Sequence, residues 1–352
     1  MRISDLTIVL SSLASFAMAA PASYGKTQLP DGLPTPNPDQ LKAIELAAHG
    51  TLSNAPPPPS ISADGIVNLQ LIAFNENSEV AFFDQLIYNI TNKVDGYHIK
   101  DEKEYTTILA ALKAILAQEE LHELNANNAL AHFMKDRILP CEYIFPVHDL
   151  ESAITLASTF TPLVLATLQD VVDIFAVGGD HGLARGVTAV VGQEGEQQGF
   201  FRILQDKIPS ELPFLTTGVR DFAFTALQGF IVPGSCPNIN EIPLQTFEAL
   251  TVLTPPGPHS QDITVQFNDP NYDASHSLWL TYINQQNLPI VEPLHIISHD
   301  GKWVKAEALF PFDANEMNGL SIAAVTNSAG PFANANAVAK ATLAGPGLII
   351  VN

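Results

Sequence analysis

The sequence predicts a mainly α protein with a β-rich part appended: four long helices and a shorter fifth, then a small β-sandwich. Three observations carry that class. From about residue 63 to 230, apolar residues recur at steps of three and four, the period of helices with one buried face. Gly96, Pro140, Gly178-Gly179 and Pro209 cut this stretch into long segments with short connections, as in a helix bundle. After "VPGSCP" the pattern changes to short β-rich runs separated by turn residues.

Taken in order, the chain opens with "MRISDLTIVLSSLASFAMAAPA". A basic Arg2, an apolar run and small residues at Ala17 and Ala19 form the pattern of a secretory signal peptide over 1–19, cut after Ala19. Residues 20–62 are rich in proline, which fixes φ and removes backbone donors, so they read as an extended arm or linker. A short helical pattern, "DQLKAIELAAHG", interrupts it. The helical domain follows over 63–232, with helices expected at 65–91, 102–136, 149–177, 181–207 and 211–230. Residues 237–352 hold "FEALTVL", "DITVQF", "LWLTYI", "LSIAAVT" and "GLIIV", with Asp300-Gly301 as a hairpin turn. They read as an immunoglobulin-like sandwich.

The chain has 352 residues, 37 of them acidic and 16 basic, for a formal charge of −21. That balance opposes nucleic acid and anionic membranes, both of which require Lys and Arg against phosphate. No stretch after the leader gives about eighteen uninterrupted apolar residues, so no membrane span is expected. Export makes a Cys141–Cys236 disulfide the better reading of the two cysteines, the alternative being two buried thiols. Asn89-Ile90-Thr91 is an N-glycosylation sequon at a helix end.

The chemistry-bearing residues interrupt apolar stripes. On the second long helix Ile108, Leu112, Ile115, Glu119, His122, Ala126, Leu130 and Phe133 share one line, so Glu119 and His122 stand where leucines belong. Glu120 and Glu123 fall on the next stripe and are expected to face water. The first helix lines up Ile72, Glu76, Glu79, Phe83, Leu86 and Ile90. The third gives Leu163, Thr167, Asp170 and Ile174, and the fourth Val190, Glu194, Gln197, Phe201 and Leu204. An unpaired carboxylate in a core costs several kcal/mol or takes up a proton. Acids sent inward from four helices point to a shared compensator, and divalent cations are the simplest. Glu-x-x-His puts both side chains on one helix face, within reach of one metal.

The helical part resembles a ferritin-like domain. More narrowly, "FNENSEVAFFDQL", "QEELHE" and "VVGQEGEQQGFFR" resemble the secreted fungal ferritin-like family that includes the late sexual development proteins. The resemblance implies metal ligands at Glu79, Glu119, His122, Asp170 (with Asp173 as the alternative), Glu194 and Gln197, and iron or manganese as the metal. It also implies a role in fungal sexual development or stress response, outside the cell or at the cell wall, with self-association open. Asp170 is one methylene shorter than the family's Glu. Gln197 offers an amide where the pattern has His, and amides are weak ligands for transition metals. The expected function is therefore a degenerate carboxylate metal-binding bundle. An active di-iron or di-manganese oxidase or peroxidase is the alternative, and a metal-free, hydrogen-bonded core of Glu76, Glu79, Glu119, His122, Gln197 and Gln198 is the blandest reading.

Other motifs carry less. His122-Glu123 does not open H-E-x-x-H, because Ala126 holds the second position. Ser235 lacks the G-x-S-x-G frame of a nucleophile elbow. His259, His276, His295 and His299 have no ligand spacing and read as surface or hairpin residues.

Overall fold

The structure is a computed structural model that describes residues 24–352; residues 1–23, with the expected signal peptide, lie outside the described residues. Five helices precede the strands as the main helical body: α1 (Pro38–Ala47), α2 (Ala63–Thr91), α3 (Glu102–His132), α4 (Leu150–Gly178) and α5 (His181–Leu204). A short α6 (Arg220–Leu227) follows. The starts of α1–α4 are set by capping side chains that satisfy otherwise orphaned N–H groups. Ser62 accepts from Gly65, Asp101 from Glu104, and Asp149 forms a reciprocal capping box with Ser152. Gly179, at φ +83°, ends α4 in the left-handed conformation that glycine adopts without strain.

α2 packs on α3, α4 on α5, and α2 on α4. Pro162 lies inside α4 and cannot donate to the Ser158 carbonyl one turn back. Gln198 of α5 reaches that carbonyl instead, at 3.4 Å. The fifth helix is shorter than expected: residues 211–219 are not helical, because they are stitched to α4 and the β-rich part. Gly218 donates to the Ala166 carbonyl, Thr217 to that of Gln285, and the Thr216 hydroxyl to that of Leu320. α4 is the one helix among the described residues long and apolar enough to cross a membrane, and 67% of its apolar window is buried inside the protein.

The proline-rich segment departs from the linker expectation. Tyr24, Leu29, Leu33, Ile44 and Ala48 belong to the same buried core as α2 and α3. Apolar residues spaced between the prolines dock on the helices. Gly25 lies so close to the Cys141 carbonyl, at φ +93°, that a Cβ there would overlap it. Cys141 is disulfide-bonded to Cys236, tying the α3–α4 connection to the chain after α6.

Asn89 requires a correction. It is 3% exposed, and its side chain lies beside the buried Tyr97 hydroxyl. The chain after α2 folds back over it, with Val94 donating to the Asn89 carbonyl at 3.0 Å. The expected solvent-facing position of the Asn89 side chain is thus not what the fold gives it.

Eight strands make two four-stranded antiparallel sheets: β1 (Leu250–Val252), β2 (Gln261–Asn268), β3 (Trp279–Asn284), β4 (Ile290–Pro293), β5 (His295–His299), β6 (Trp303–Phe310), β7 (Gly319–Thr326) and β8 (Thr342–Val351). The orders are β1-β2-β6-β5 and β4-β3-β7-β8. Asp300-Gly301 turns β5 into β6 as expected; Asp300 accepts from Lys302 and Trp303, and Gly301 has φ +90°. β2 alternates buried and partly exposed residues, burying one face, whereas all eight residues of β7 are buried. The inward faces of the two sheets share one core. The outer face of the second sheet packs on α4, α6 and a short helix at Ala335–Ala341, through Leu163, Phe222, Ile322 and Val338. The β part is therefore fastened to the helices through a buried apolar layer.

Candidate metal centre

Three Glu-x-x pairs place polar groups inside the helices: Glu76 and Glu79 on α2, Glu119 and His122 on α3, Glu194 and Gln197 on α5. At i and i+3 each pair shares a helix face. All three faces turn inward. Glu119 and Glu194 are fully buried, Glu76 and Glu79 nearly so, and the His122 side chain is 15% exposed. Ligand atoms of Glu76, Glu119, His122 and Glu194 lie within 4.8 Å of one another. His122 Nδ1 stands 2.9 Å from Glu119 Oε2, 3.7 Å from Glu76 Oε2 and 3.8 Å from Glu194 Oε1. One imidazole nitrogen thus faces carboxylates from three helices.

The acids present more acceptors than the protein supplies donors. Gln197 Nε2 donates to Glu119 Oε1, and Asn75 Nδ2 to Glu79 Oε2 at 2.7 Å. Glu76 Oε2, Glu79 Oε1, both oxygens of Glu194 and Gln197 Oε1 have no hydrogen-bond partner in the protein. Buried acceptors are normally paired, and leaving one unmade costs on the order of 1–3 kcal/mol. Burial raises Glu194 and Glu79 well above the ordinary carboxylate range, and the neighbouring carboxylates push them further. Burial also raises Glu76, to about 8, against the pull of His122. Glu119 moves the other way: burial is outweighed by the charge and hydrogen bond of His122 and the Gln197 amide. His122 is raised, because Glu119 and Glu76 outweigh its burial. Without a cation this group must retain protons; a divalent ion would replace them and give the orphan oxygens a partner.

The other expected residues are placed as follows. Glu79 lies beside the four, close enough for the charges of Glu119 and Glu76 to raise it. Gln197 touches Glu119 through its amide nitrogen. Asp170 is a correction: it is not among the clustered donors, and its carboxylate accepts from the Arg220 backbone N–H at 3.1 Å and lies 3.5 Å from the Asn336 amide. α4 turns that position toward α6 and the helix at Ala335–Ala341. Asp173 is exposed. Glu76 is the member of the cluster that the family pattern left out; its i,i+3 relation to Glu79, matching the pairs on α3 and α5, was the available signal. Glu120 and Glu123 do not face water, being 2% and 0% exposed. They lie on the adjacent stripe of α3, where Asp31 and Tyr24 of the proline-rich arm stand beside them.

Apolar and amide groups close the site. Phe83 and Phe201, one turn beyond Glu79 and Gln197, stack with ring centroids 5.9 Å apart. Gln193 Nε2 donates to Gln118 Oε1 across the α5–α3 gap at 2.8 Å. No known family model matches the chain, and no curated protein matches it.

Proposed function

We propose that α2–α5 form a ferritin-like four-helix bundle that binds a divalent transition metal through Glu76, Glu119, His122 and Glu194, with Glu79 and Gln197 at its margin. The observation that carries this reading is the convergence of carboxylates from three helices on one imidazole nitrogen, with oxygens from two of those helices, α2 and α5, left without a partner. Carboxylate with a single imidazole and no thiolate suits iron or manganese. When bound, such a metal supplies Lewis acidity and one-electron chemistry. The chain's own contribution is to preset the donors: Gln197 orients Glu119, Asn75 orients Glu79, and the Phe83–Phe201 pair keeps water from one end. Glu119 and His122 are paired in the protein itself, and the protons held on Glu76, Glu79, Glu194 and His122 would have to leave for these groups to hold a metal.

The chain is read as an exported metal-binding protein of the fungal late sexual development kind, serving development or stress response, with a degenerate centre in which an amide replaces the second histidine. The alternative, an active oxidase or peroxidase with two metals, draws support from Glu79, whose unpartnered Oε1 stands ready for a second ion. For the β part, the order β1-β2-β6-β5 against β4-β3-β7-β8 supports an immunoglobulin-like sandwich with one added edge strand. Elemental analysis of purified protein and its Glu119→Gln variant tests the proposal. Iron or manganese is expected in the first and lost in the second; equal content in both would defeat the assigned site. Peroxide decay or oxygen uptake with added Fe(II) or Mn(II) separates the enzyme from the binding protein.

A further inference from the structure

A narrow slot lies among α2, α4, α6 and β8. Leu163 and Phe160 of α4, Ala226 and Leu227 of α6 and Leu348 of β8 form its walls, with Asn75 of α2 as a polar member. Its free space is about 20 Å³, room for one water-sized molecule. A buried water needs two to four polar partners. The slot has few to offer: only Asn75 and Thr159 among its lining residues carry polar side chains, and the Thr159 proton is given to the Thr155 carbonyl at 2.7 Å and one Asn75 amide proton to Glu79 at 2.7 Å. The remaining walls are apolar, so a small apolar molecule fits the space better than water does.

The slot adjoins the acidic centre. Asn75 is both a wall of the slot and the hydrogen-bond donor to Glu79. Phe160 packs against Phe83, with centroids 6.2 Å apart, and Phe83 lies one turn from Glu79. We infer that this slot is a dry docking site for an apolar molecule of dioxygen size, held one hydrogen bond from the carboxylates. The site rests on the cavity alone. Its role as a delivery point rests on the reading that those carboxylates hold a metal.

Xenon is the probe, because it is apolar, enters dry cavities and carries no chemistry of its own. In crystals of the metal-free full chain under xenon pressure, one peak is expected against Leu163, Ala226 and Leu348. Ala226→Phe, at the partly exposed rim, should abolish the peak, and Leu348→Ala should raise its occupancy. Both variants should titrate with Mn(II) as the parent does. No xenon in the slot, or an unchanged peak in Ala226→Phe, overturns the docking site; the opposite volume change in Leu348→Ala keeps the test informative if the bulky variant fails to fold. Xenon in the slot of a parent chain that takes up no Mn(II), Fe(II) or Zn(II) overturns the delivery role and the metal reading together.

Discussion

The two faces of α3 place four acidic or basic groups in the interior and handle them in opposite ways. On the inner face Glu119 and His122 meet Glu76 and Glu194 from two other helices, and several oxygens remain without donors. On the outer face Glu120 and Glu123 are equally buried, and each also keeps one oxygen without a partner, but they face the arm and an amide of their own helix, and no imidazole. Asn127 donates to Glu123 and is held in turn by Ile138. Glu120 lies beside Asp31 of the arm, and Tyr24 donates its hydroxyl to Asn77 in the same layer. Burial, then Asp31, raises Glu120 to about 10; burial raises Glu123 to about 7 against the Asn127 hydrogen bond. The outer acids thus keep their protons to higher pH than free carboxyls do, Glu120 further than Glu123, in a packed seam without an imidazole. Burial of acids alone does not make a metal site; convergence from separate helices on a nitrogen donor does.

The largest effect tests the outer seam. Cys141→Ser removes a crosslink closing a loop of 95 residues, which the chain-entropy model values at about 4 kcal/mol. Urea unfolding should report a loss of that order, while metal affinity in the folded protein persists. Gly25→Ala should cost about 2–4 kcal/mol, since the added Cβ must shift the Cys141 carbonyl and the arm with it. Arm release should also return Glu120 and Glu123 toward ordinary acidity, which carboxyl NMR titration would follow. Loss of metal in either folded variant would mean that the two faces are coupled.

On the inner face Glu119→Gln keeps the shape and removes the charge, and calorimetric titration should find metal affinity lower by about 100-fold, at the upper end of what even outer-shell changes cause. The pH dependence sharpens the contrast. Glu76, Glu79 and Glu194, like the outer acids, hold protons in the folded chain that the unfolded chain has released, so their contribution is full below about pH 4.5 and declines as pH rises through their folded values; that of His122 is full below about pH 6.5 and declines in the same way. Glu119, being lowered, acts in the reverse sense, contributing above its ordinary value and losing that as pH falls through its folded value. Unfolding measured at pH 5, 7 and 9 should show metal-free protein losing stability with pH, and a flatter curve once metal replaces the inner protons. The smallest effect is expected for Glu120→Gln, which should change metal affinity by about twofold or less; a loss like that of Glu119→Gln would erase the distinction between the faces.

Much of this was legible from spacing. The stripes put Glu119, His122, Glu194 and Gln197 inside because the helical period decides which residues share a face, and the glycines and prolines between segments marked where the long helices stop. What spacing could not give was the environment of the next stripe. Glu120 and Glu123 look solvated until Tyr24, Leu29 and Leu33, from a proline-rich segment far off in sequence, are laid across them. Asp170 sits at a helical period suited to the centre, but the rotation of α4 is set by its apolar contact with α6 and the sheet, which no local pattern encodes. Asn89 ends a helix, where exposure is the usual rule, and only the fold-back at Val94 buries it.

Anomalous diffraction at a metal absorption edge, from crystals soaked in Mn(II), tests the central claim most directly. The account predicts a peak bounded by Glu76, Glu119, His122 and Glu194. A featureless inner face, or manganese seated instead beside Glu120 and Glu123, would contradict it.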